Sequence, residues 1–440
     1  MLDLKDKKVT ILGAQRTGMA LARLLVRLKA RAKISEQGPE EKLNEEFKAW
    51  ASQHPVAFEF NGHTQKFIED SDVVVLSPGV RFDGPPVQWA KAKGIPIFGE
   101  IEWAYQFCTK PVIGVTGSNG KTTVTTLIYE ILKKAGYRAR LCGNIGLPFA
   151  EFVLDLHDED FVVLELSSFQ LESILDPEAR RRAAQRLKTS SVKGFKPYIA
   201  VLLNFTQNHL DRHADLEEYF LAKSRIFLNQ DKTDHAVLSF QQQRLKKLAH
   251  QLKAHVSWFD DPAALQSQEK ENPNYLAAMA VARILKIDPE LCADVFKGFK
   301  GVEHRLEWVR SLHGVYFVND SKATTTQATL WALQHIDQPV VMICGGRDKH
   351  MDFSVLEGLV KQRVKKMFVI GEAKEKLRRT FEKVVGVEEC QSLENAVFRA
   401  RETAAQGDCV LLSPMCASFD MFADFEERGR KFKEIVNKLT

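Results

Sequence analysis

The chain has 440 residues, 45% apolar and 27% charged, the composition of an ordinary globular protein with room for roughly two to four cores. Its 62 Lys and Arg against 57 Asp and Glu leave a net charge of +5, too mild to imply an obligate nucleic-acid partner and suited to anionic substrates. No apolar run approaches the ~18 residues of a membrane span. Met1 to Lys8 is too charged for a signal peptide, and the seven cysteines include no C-x-x-C pair and read as free thiols, so a soluble cytoplasmic protein is expected.

Short apolar runs alternate with helical patterns along most of the chain, which predicts βαβ units and parallel sheets. A first unit opens with the strand Lys8 to Leu12, the turn Gly13-Ala-Gln-Arg-Thr-Gly18 and an apolar helix from Met19 to Leu28. A second strand ends at Ile34-Ser-Glu36. The arrangement resembles the start of a Rossmann-type sheet, but the turn lacks the middle glycine of G-x-G-x-x-G, so a nucleotide-like ligand is expected rather than NAD. Asp72 to Leu76 is another buried strand, ending in Ser77-Pro-Gly79, and the unit closes near Glu100.

The second unit carries Thr116-Gly-Ser-Asn-Gly-Lys-Thr-Thr123 between the apolar run Val112 to Val115 and a helix from Val124 to Lys134. Strand, glycine turn and Lys-Thr opening a helix form a phosphate cradle: backbone N–H groups approach the oxygens, Lys121 reaches the terminal phosphates and Thr122 offers a hydroxyl to Mg²⁺. Val115 stands where the longer P-loop pattern has its first glycine, so this is a shorter form. Further strands are expected at Phe161 to Glu165 and Tyr198 to Asn204, and helices at Leu216 to Leu228 and Asn274 to Leu285. Leu238 to Gln268 shows no readable pattern. Glu165 ends a buried strand, where a carboxylate needs a partner or a metal. His209 follows the next strand. Lys223 alone reads as a solvated helix lysine.

The third unit has strands at Val315 to Val318, Val340 to Cys344, Met367 to Ile370 and Cys409 to Leu412. Asp320 and Lys322 close the first of them, where they suit a ribose hydroxyl and a phosphate. Ser418 follows the last and suits a small polar substrate. The suggestive polar positions of all three units lie just past strands, where open α/β sheets bind ligands, so the sheets are expected to aim at a shared cleft.

These segments, in this order, resemble the Mur ligases of peptidoglycan synthesis nearly end to end. The most specific pieces are T-G-S-N-G-K-T-T at 116–123, G-N-I-G at 143–146, E-L-S-S-F-Q-L-E at 165–172, N-D-S-K-A-T at 319–324 and L-L-S-P-M-C-A-S-F-D-M-F at 411–422. S-S-F-Q-L-E and A-S-F-D-M-F favour the branch that adds D-glutamate. The resemblance implies an α/β protein of three domains: a Rossmann-like N-terminal domain (1–100) for the UDP part of the substrate, a central P-loop ATPase domain (101–302) and a Rossmann-like C-terminal domain (303–440) for the amino acid. It implies an amide ligase that uses ATP and Mg²⁺, with two metal sites, to join D-glutamate to UDP-N-acetylmuramoyl-L-alanine through an acyl phosphate, acting as a monomer in the cytoplasm.

Carried over by motif, Gly117, Ser118, Asn119, Gly120, Lys121, Thr122 and Thr123 hold the phosphates, and Asn274, Arg305, Asp320 and Lys322 complete the ATP contacts. Thr122, Glu165, His209 and Lys223 match metal-site positions, Lys223 as a carbamate made from CO₂, which turns a cation into an oxygen ligand. Lys121, Glu165, His209 and Lys223 are then the catalytic set. Thr17, Glu36, Ser77 and Asn144 match UDP-substrate positions, and Thr324, Lys349, Ser418, Phe419 and Phe425 match the D-glutamate pocket. The chain departs from the family in three places. Gln207-Asn208 replace an acidic pair before His209, Glu271 stands at a helix start that usually carries histidine, and Gly38 replaces an arginine near the UDP group. Asp176 to Pro197 reads as an insertion. Its run from Arg180 to Lys196 holds seven basic residues and no acidic one, and reads either as a solvated loop or as a contact for an anionic partner such as a membrane surface.

Overall fold

The computed structural model describes residues 2–206, 212–263, 272–299, 301–348 and 351–440, in two compact units, 1–299 and 300–440. The first unit holds two sheets. In chain order its strands are β1 (Lys8–Leu12), β2 (Arg31–Ser35), β3 (Val56–Glu59), β4 (Val73–Leu76), β5 (Ile97–Gly99), β6 (Val112–Thr116), β7 (Ala139–Gly143), β8 (Phe161–Glu165), β9 (Ile199–Leu202), β10 (His235–Leu238) and β11 (His255–Trp258). The first sheet runs β3-β2-β1-β4-β5 and the second β11-β10-β9-β6-β8-β7, and every pairing is parallel.

The second unit holds β12 (Glu307–Leu312), β13 (Val315–Asn319), β14 (Val340–Gly345), β15 (Val364–Ile370), β16 (Gly386–Glu389) and β17 (Cys409–Leu412), in the order β12-β13-β17-β14-β15-β16. Only β12 is antiparallel, paired to β13. Central strands such as β4, β9 and β17 are buried along their whole length, as both faces of a parallel sheet require.

The helices follow from apolar stripes and capping side chains. The helix Arg16–Arg27 buries Gly18, Ala20, Leu21, Ala22, Leu24 and Leu25. Gly18 is there because the first turn of the helix packs against the loop after β1: a Cβ at that position would come within 1.9 Å of the Gly13 carbonyl. The first half of the basic segment after Asp176 is a helix, Pro177–Leu187, where a loop was expected, and residues 188–197 carry no regular secondary structure. Asp176 accepts a hydrogen bond from the Ala179 N–H at 2.8 Å, Pro177 opens the first turn, and Ala183 and Leu187 face the core.

The strands that the sequence pattern did not yield are β3, β5, β7, β10, β11, β12 and β16. Six of these lie at sheet edges. β5 is only three residues long, and the other edge strands are mostly part-exposed or exposed, so they lack the apolar run that marks a central strand. All seven cysteines are free and buried. No described helix is long and apolar enough to cross a membrane.

Candidate active site

In the first unit the carboxyl ends of both sheets border a cavity of about 700 Å³. Thr17, Glu36, Ser77 and Asn144, scattered over 128 positions of sequence, all line it. The turn after β1 is held in shape by Glu36, whose two carboxylate oxygens accept the Ala14 N–H at 2.6 Å and the Gly38 N–H at 2.9 Å. Ser77 donates to the Gly13 carbonyl at 3.2 Å. The helix that opens at Arg16 has no side-chain cap and no acidic residue in its first turn, so its partial positive charge is left for an anion. Sequence reasoning missed His63, Arg81 and Gln170, which line the same cavity.

Asn144 leads out of this cavity into the second sheet. Its amide donates to Glu165 at 2.7 Å, and Glu165, at the end of β8, is 1% exposed. Beside it, the P-loop joins β6 to the helix Lys121–Lys134. Gly120 caps that helix with φ +80°, and a Cβ there would lie 2.4 Å from the Asn274 side chain. The loop is braced from β9: Ser118 N–H donates to the Asn204 carbonyl at 3.0 Å, and Asn119 N–H to the Asn204 side chain at 2.8 Å. Ser118 also donates to the Thr206 carbonyl at 3.0 Å. Thr122 is buried and Thr123 half-buried at the start of the helix. These backbone amides and the dipole behind them make a site that fits polyphosphate.

Lys121 donates to the Gly117 carbonyl at 2.9 Å and the Ser118 carbonyl at 3.2 Å. Lys223 donates to the same Gly117 carbonyl at 2.9 Å. Lys223 is 1% exposed, which corrects its reading as a solvated helix lysine. The helix Leu216–Ser224 turns Tyr219, Phe220, Ala222 and Lys223 inward. Tyr219, one turn earlier, places its ring 4.7 Å from the Lys223 ammonium and its hydroxyl 3.2 Å from Ser118. Burial pushes the Lys223 pKa well below its usual value, Lys121 pushes it the same way, and Glu165 opposes them. His209 lies outside the described residues, as do Gln207, Asn208 and Glu271.

In the second unit the loops after β13, β14 and β17 converge. Asp320 is 4% exposed and accepts from the Leu306 N–H at 3.2 Å and from Ser413 at 3.0 Å. Burial raises its pKa to about 7, against the pull of Arg305. Lys322 sits 5.5 Å from the Phe425 ring, and Ser321 donates to the Phe425 carbonyl at 2.8 Å. Thr324 is half-buried at the start of the following helix, Ser418 is buried, and Phe419 is 60% exposed. Lys349 lies outside the described residues.

Sequence reasoning missed Arg428. Its guanidinium, 1% exposed, donates to the carbonyls of Ser321 at 2.9 Å, Cys416 at 3.3 Å and Ala417 at 3.4 Å, and to the Ser321 hydroxyl at 3.0 Å. Burial lowers its pKa to about 10. A lone arginine in a charged helix carries no sign of this in sequence, whereas Tyr219 was detectable from its i, i+4 spacing to Lys223.

Three family models match the chain: the Mur ligase MurD-like N-terminal domain over residues 7–99, the Mur ligase middle domain over 115–180 and 182–281, and the Mur ligase glutamate ligase domain over 304–416. Together with full-length relatives, these matches establish that the chain belongs to the Mur ligase family. Among those relatives, the UDP-N-acetylmuramoylalanine–D-glutamate ligase of Alkaliphilus oremlandii is 37% identical over 471 aligned positions, covering 100% of both chains. The enzyme of that name from Koribacter versatilis is 37% identical over 467 positions, covering 100% of this chain and 99% of its own. Among solved structures, UDP-N-acetylmuramate–alanine ligase MurC of Thermotoga maritima superposes with a TM-score of 0.58 at 17% identity, covering 98% of this chain and 99% of that one. MurF of Thermotoga maritima, in complex with ADP, gives 0.54 at 16% identity, covering 93% and 96%. At such identities these two structures speak to the fold alone.

Proposed function

We propose that this protein is an ATP-dependent ligase that joins D-glutamate to the carboxylate of UDP-N-acetylmuramoyl-L-alanine in peptidoglycan precursor synthesis. The observation that carries the reading is the contact between Asn144 and Glu165. It links the cavity that suits the UDP-substrate to the P-loop that suits ATP. The reading divides the chain into 1–100 for the UDP-substrate, 101–302 for ATP and 303–440 for the amino acid, and takes the protein as a cytoplasmic monomer.

A carboxylate is a poor electrophile, so it is activated first. Its oxygen attacks the γ-phosphorus of ATP, the bond to the ADP oxygen breaks, and an acyl phosphate results. The amine of D-glutamate attacks the acyl carbon and loses a proton, and the tetrahedral intermediate expels inorganic phosphate. Gly117 to Thr123 hold the polyphosphate, and Lys121 offsets charge that gathers on the transferring oxygens. Asn274, Arg305, Asp320 and Lys322 complete the nucleotide contacts, and Asp320 accepts from a ribose hydroxyl. Thr324, Lys349, Ser418, Phe419 and Phe425 form the amino-acid pocket.

Thr122, Glu165, His209 and Lys223 would hold two Mg²⁺ ions, which when bound supply further charge neutralisation. Lys223 suits this role as a carbamate. Burial lowers the pKa of Lys223 and so favours its neutral amine, whose nitrogen adds to the carbon of CO₂ with loss of one proton. The choice of D-glutamate rests on the named relatives. It is tested by incubating the protein with ATP, Mg²⁺, UDP-N-acetylmuramoyl-L-alanine and, in turn, D-glutamate, L-glutamate, L-alanine and L-lysine, and weighing the products. A product heavier by one glutamyl residue, from the D isomer only, is expected. A product with another amino acid would overturn the assignment.

A further inference from the structure

We infer that the outer face of the helix Pro177–Leu187 and the turn after it form an electrostatic docking surface for an anionic lipid membrane. The helix splits its residues cleanly. Ala183 and Leu187 are buried, joined in the core by Val192 and Phe195, while Arg181, Arg182, Gln185, Arg186 and Lys188 are exposed. Arg182 pairs with Glu178 at 2.6 Å. Arg181, Arg186 and Lys188 have no hydrogen-bond or ion-pair partner among the described residues.

Exposed arginines elsewhere, such as Arg27 with Asp155, Arg347 with Glu372 and Arg399 with Glu402, sit on carboxylates, whereas this helix and its turn gather several exposed cations without one. Arg182 and Arg186 lie one helical turn apart, a spacing at which like charges repel, and Glu178 offsets only the first of them.

The chemistry of the patch narrows the partner. Four cations over two helical turns match the charge density at which basic helices are drawn to anionic headgroups. No aromatic side chain is exposed between residues 177 and 197, so the patch has no platform on which to stack the bases of a single strand. The helix's one large apolar side chain, Leu187, packs inward with Ala183, so the helix does not insert; it adsorbs by charge alone. Adsorption of this kind falls steeply with salt.

The test is co-sedimentation of the full-length protein with vesicles of phosphatidylcholine alone and of phosphatidylcholine with 30% phosphatidylglycerol, an arbitrary but ordinary composition of about that anionic fraction. The wild-type protein is expected to bind only the anionic vesicles and to leave them as salt is raised. Each basic residue near the surface contributes about fivefold in affinity, so the variant R181E/R186E/K188E is expected to lose at least tenfold. All three positions are solvent-exposed and outside the proposed active site, so its ligase activity in free solution should match wild type, and a far-UV spectrum checks its fold. Equal binding to neutral vesicles, absence of binding at low salt, or unchanged binding by the variant would each overturn the proposal. So would tighter binding to duplex DNA than to the vesicles.

Discussion

Lys121 and Lys223 donate to one acceptor, the carbonyl of Gly117, each at 2.9 Å. Two ammonium groups on one carbonyl in a water-poor site repel each other, and the more buried of the two gives up its proton first. That is Lys223. Under the proposed function the two lysines then take different roles, Lys121 holding phosphate and Lys223 adding to CO₂.

The first prediction follows from this assignment. Lys223→Ala should lower kcat by at least about 100-fold, the scale on which a preorganised charge at a transition state acts. Wild-type protein exchanged into ¹³C-bicarbonate should show one carbamate resonance that the variant lacks. An active Lys223→Ala protein, or a wild-type spectrum without the resonance, would exclude the carbamate.

Gly120 at φ +80° allows the turn into the P-loop helix, and Asn274 occupies the space a Cβ would need. Gly120→Ala should therefore destabilise the first unit by about 1–3 kcal/mol and weaken ATP binding. Calorimetric titration with a non-hydrolysable ATP analogue checks it, and unchanged affinity would mean that the loop does not cradle the nucleotide.

Two buried carboxyls predict a pH dependence of stability. Glu100 accepts the Ala150 N–H at 2.8 Å and Glu102 the Phe195 N–H at 3.0 Å. Burial raises Glu100 to about 7 and Glu102 to about 8, although backbone N–H groups and, at Glu102, Arg180 and Arg225 oppose it. The folded state then holds more protons than the unfolded state, whose carboxyls titrate near 4.5. Stability from these groups is complete below pH 4.5 and is lost as pH rises through about 7 to 8. Glu100→Gln should flatten the fall by up to about 3 kcal/mol. Denaturant midpoints followed from about pH 4 to about pH 9 measure it; a wild-type midpoint that rises across the upper half of that range would contradict the account.

Arg428 ties the loop after β13 to the loop after β17 through carbonyls and the Ser321 hydroxyl. Arg428→Met should cost the second unit more than about 2 kcal/mol, since several buried carbonyls lose their donor. Arg428→Lys should recover part of this. Thermal unfolding of both variants checks the order, and an unshifted Arg428→Met protein would show that the loops hold themselves.

How much of this was legible in sequence depended on burial. Central strands such as β4 and β17 announce themselves as apolar runs, and the P-loop as a fixed pattern of Gly, Lys and Thr. Edge strands β3, β7, β11, β12 and β16 do not, because half of each faces water. Thr17, Glu36, Ser77 and Asn144 were matched to the substrate by resemblance, and all four line one cavity. Lys223 read alone pointed the wrong way: a lysine in a helix is ordinarily solvated, the family resemblance gave it a site role, and the packing of Tyr219 and Gly117 around it shows it buried. Arg428 was invisible, since its partners are mostly backbone carbonyls, which leave no mark in a side-chain pattern.

The most direct measurement is phosphate release from ATP and Mg²⁺ with UDP-N-acetylmuramoyl-L-alanine, with and without D-glutamate. The account predicts sustained release only with both substrates, in step with one new amide per phosphate. Sustained release without D-glutamate, or none with both present, would contradict it.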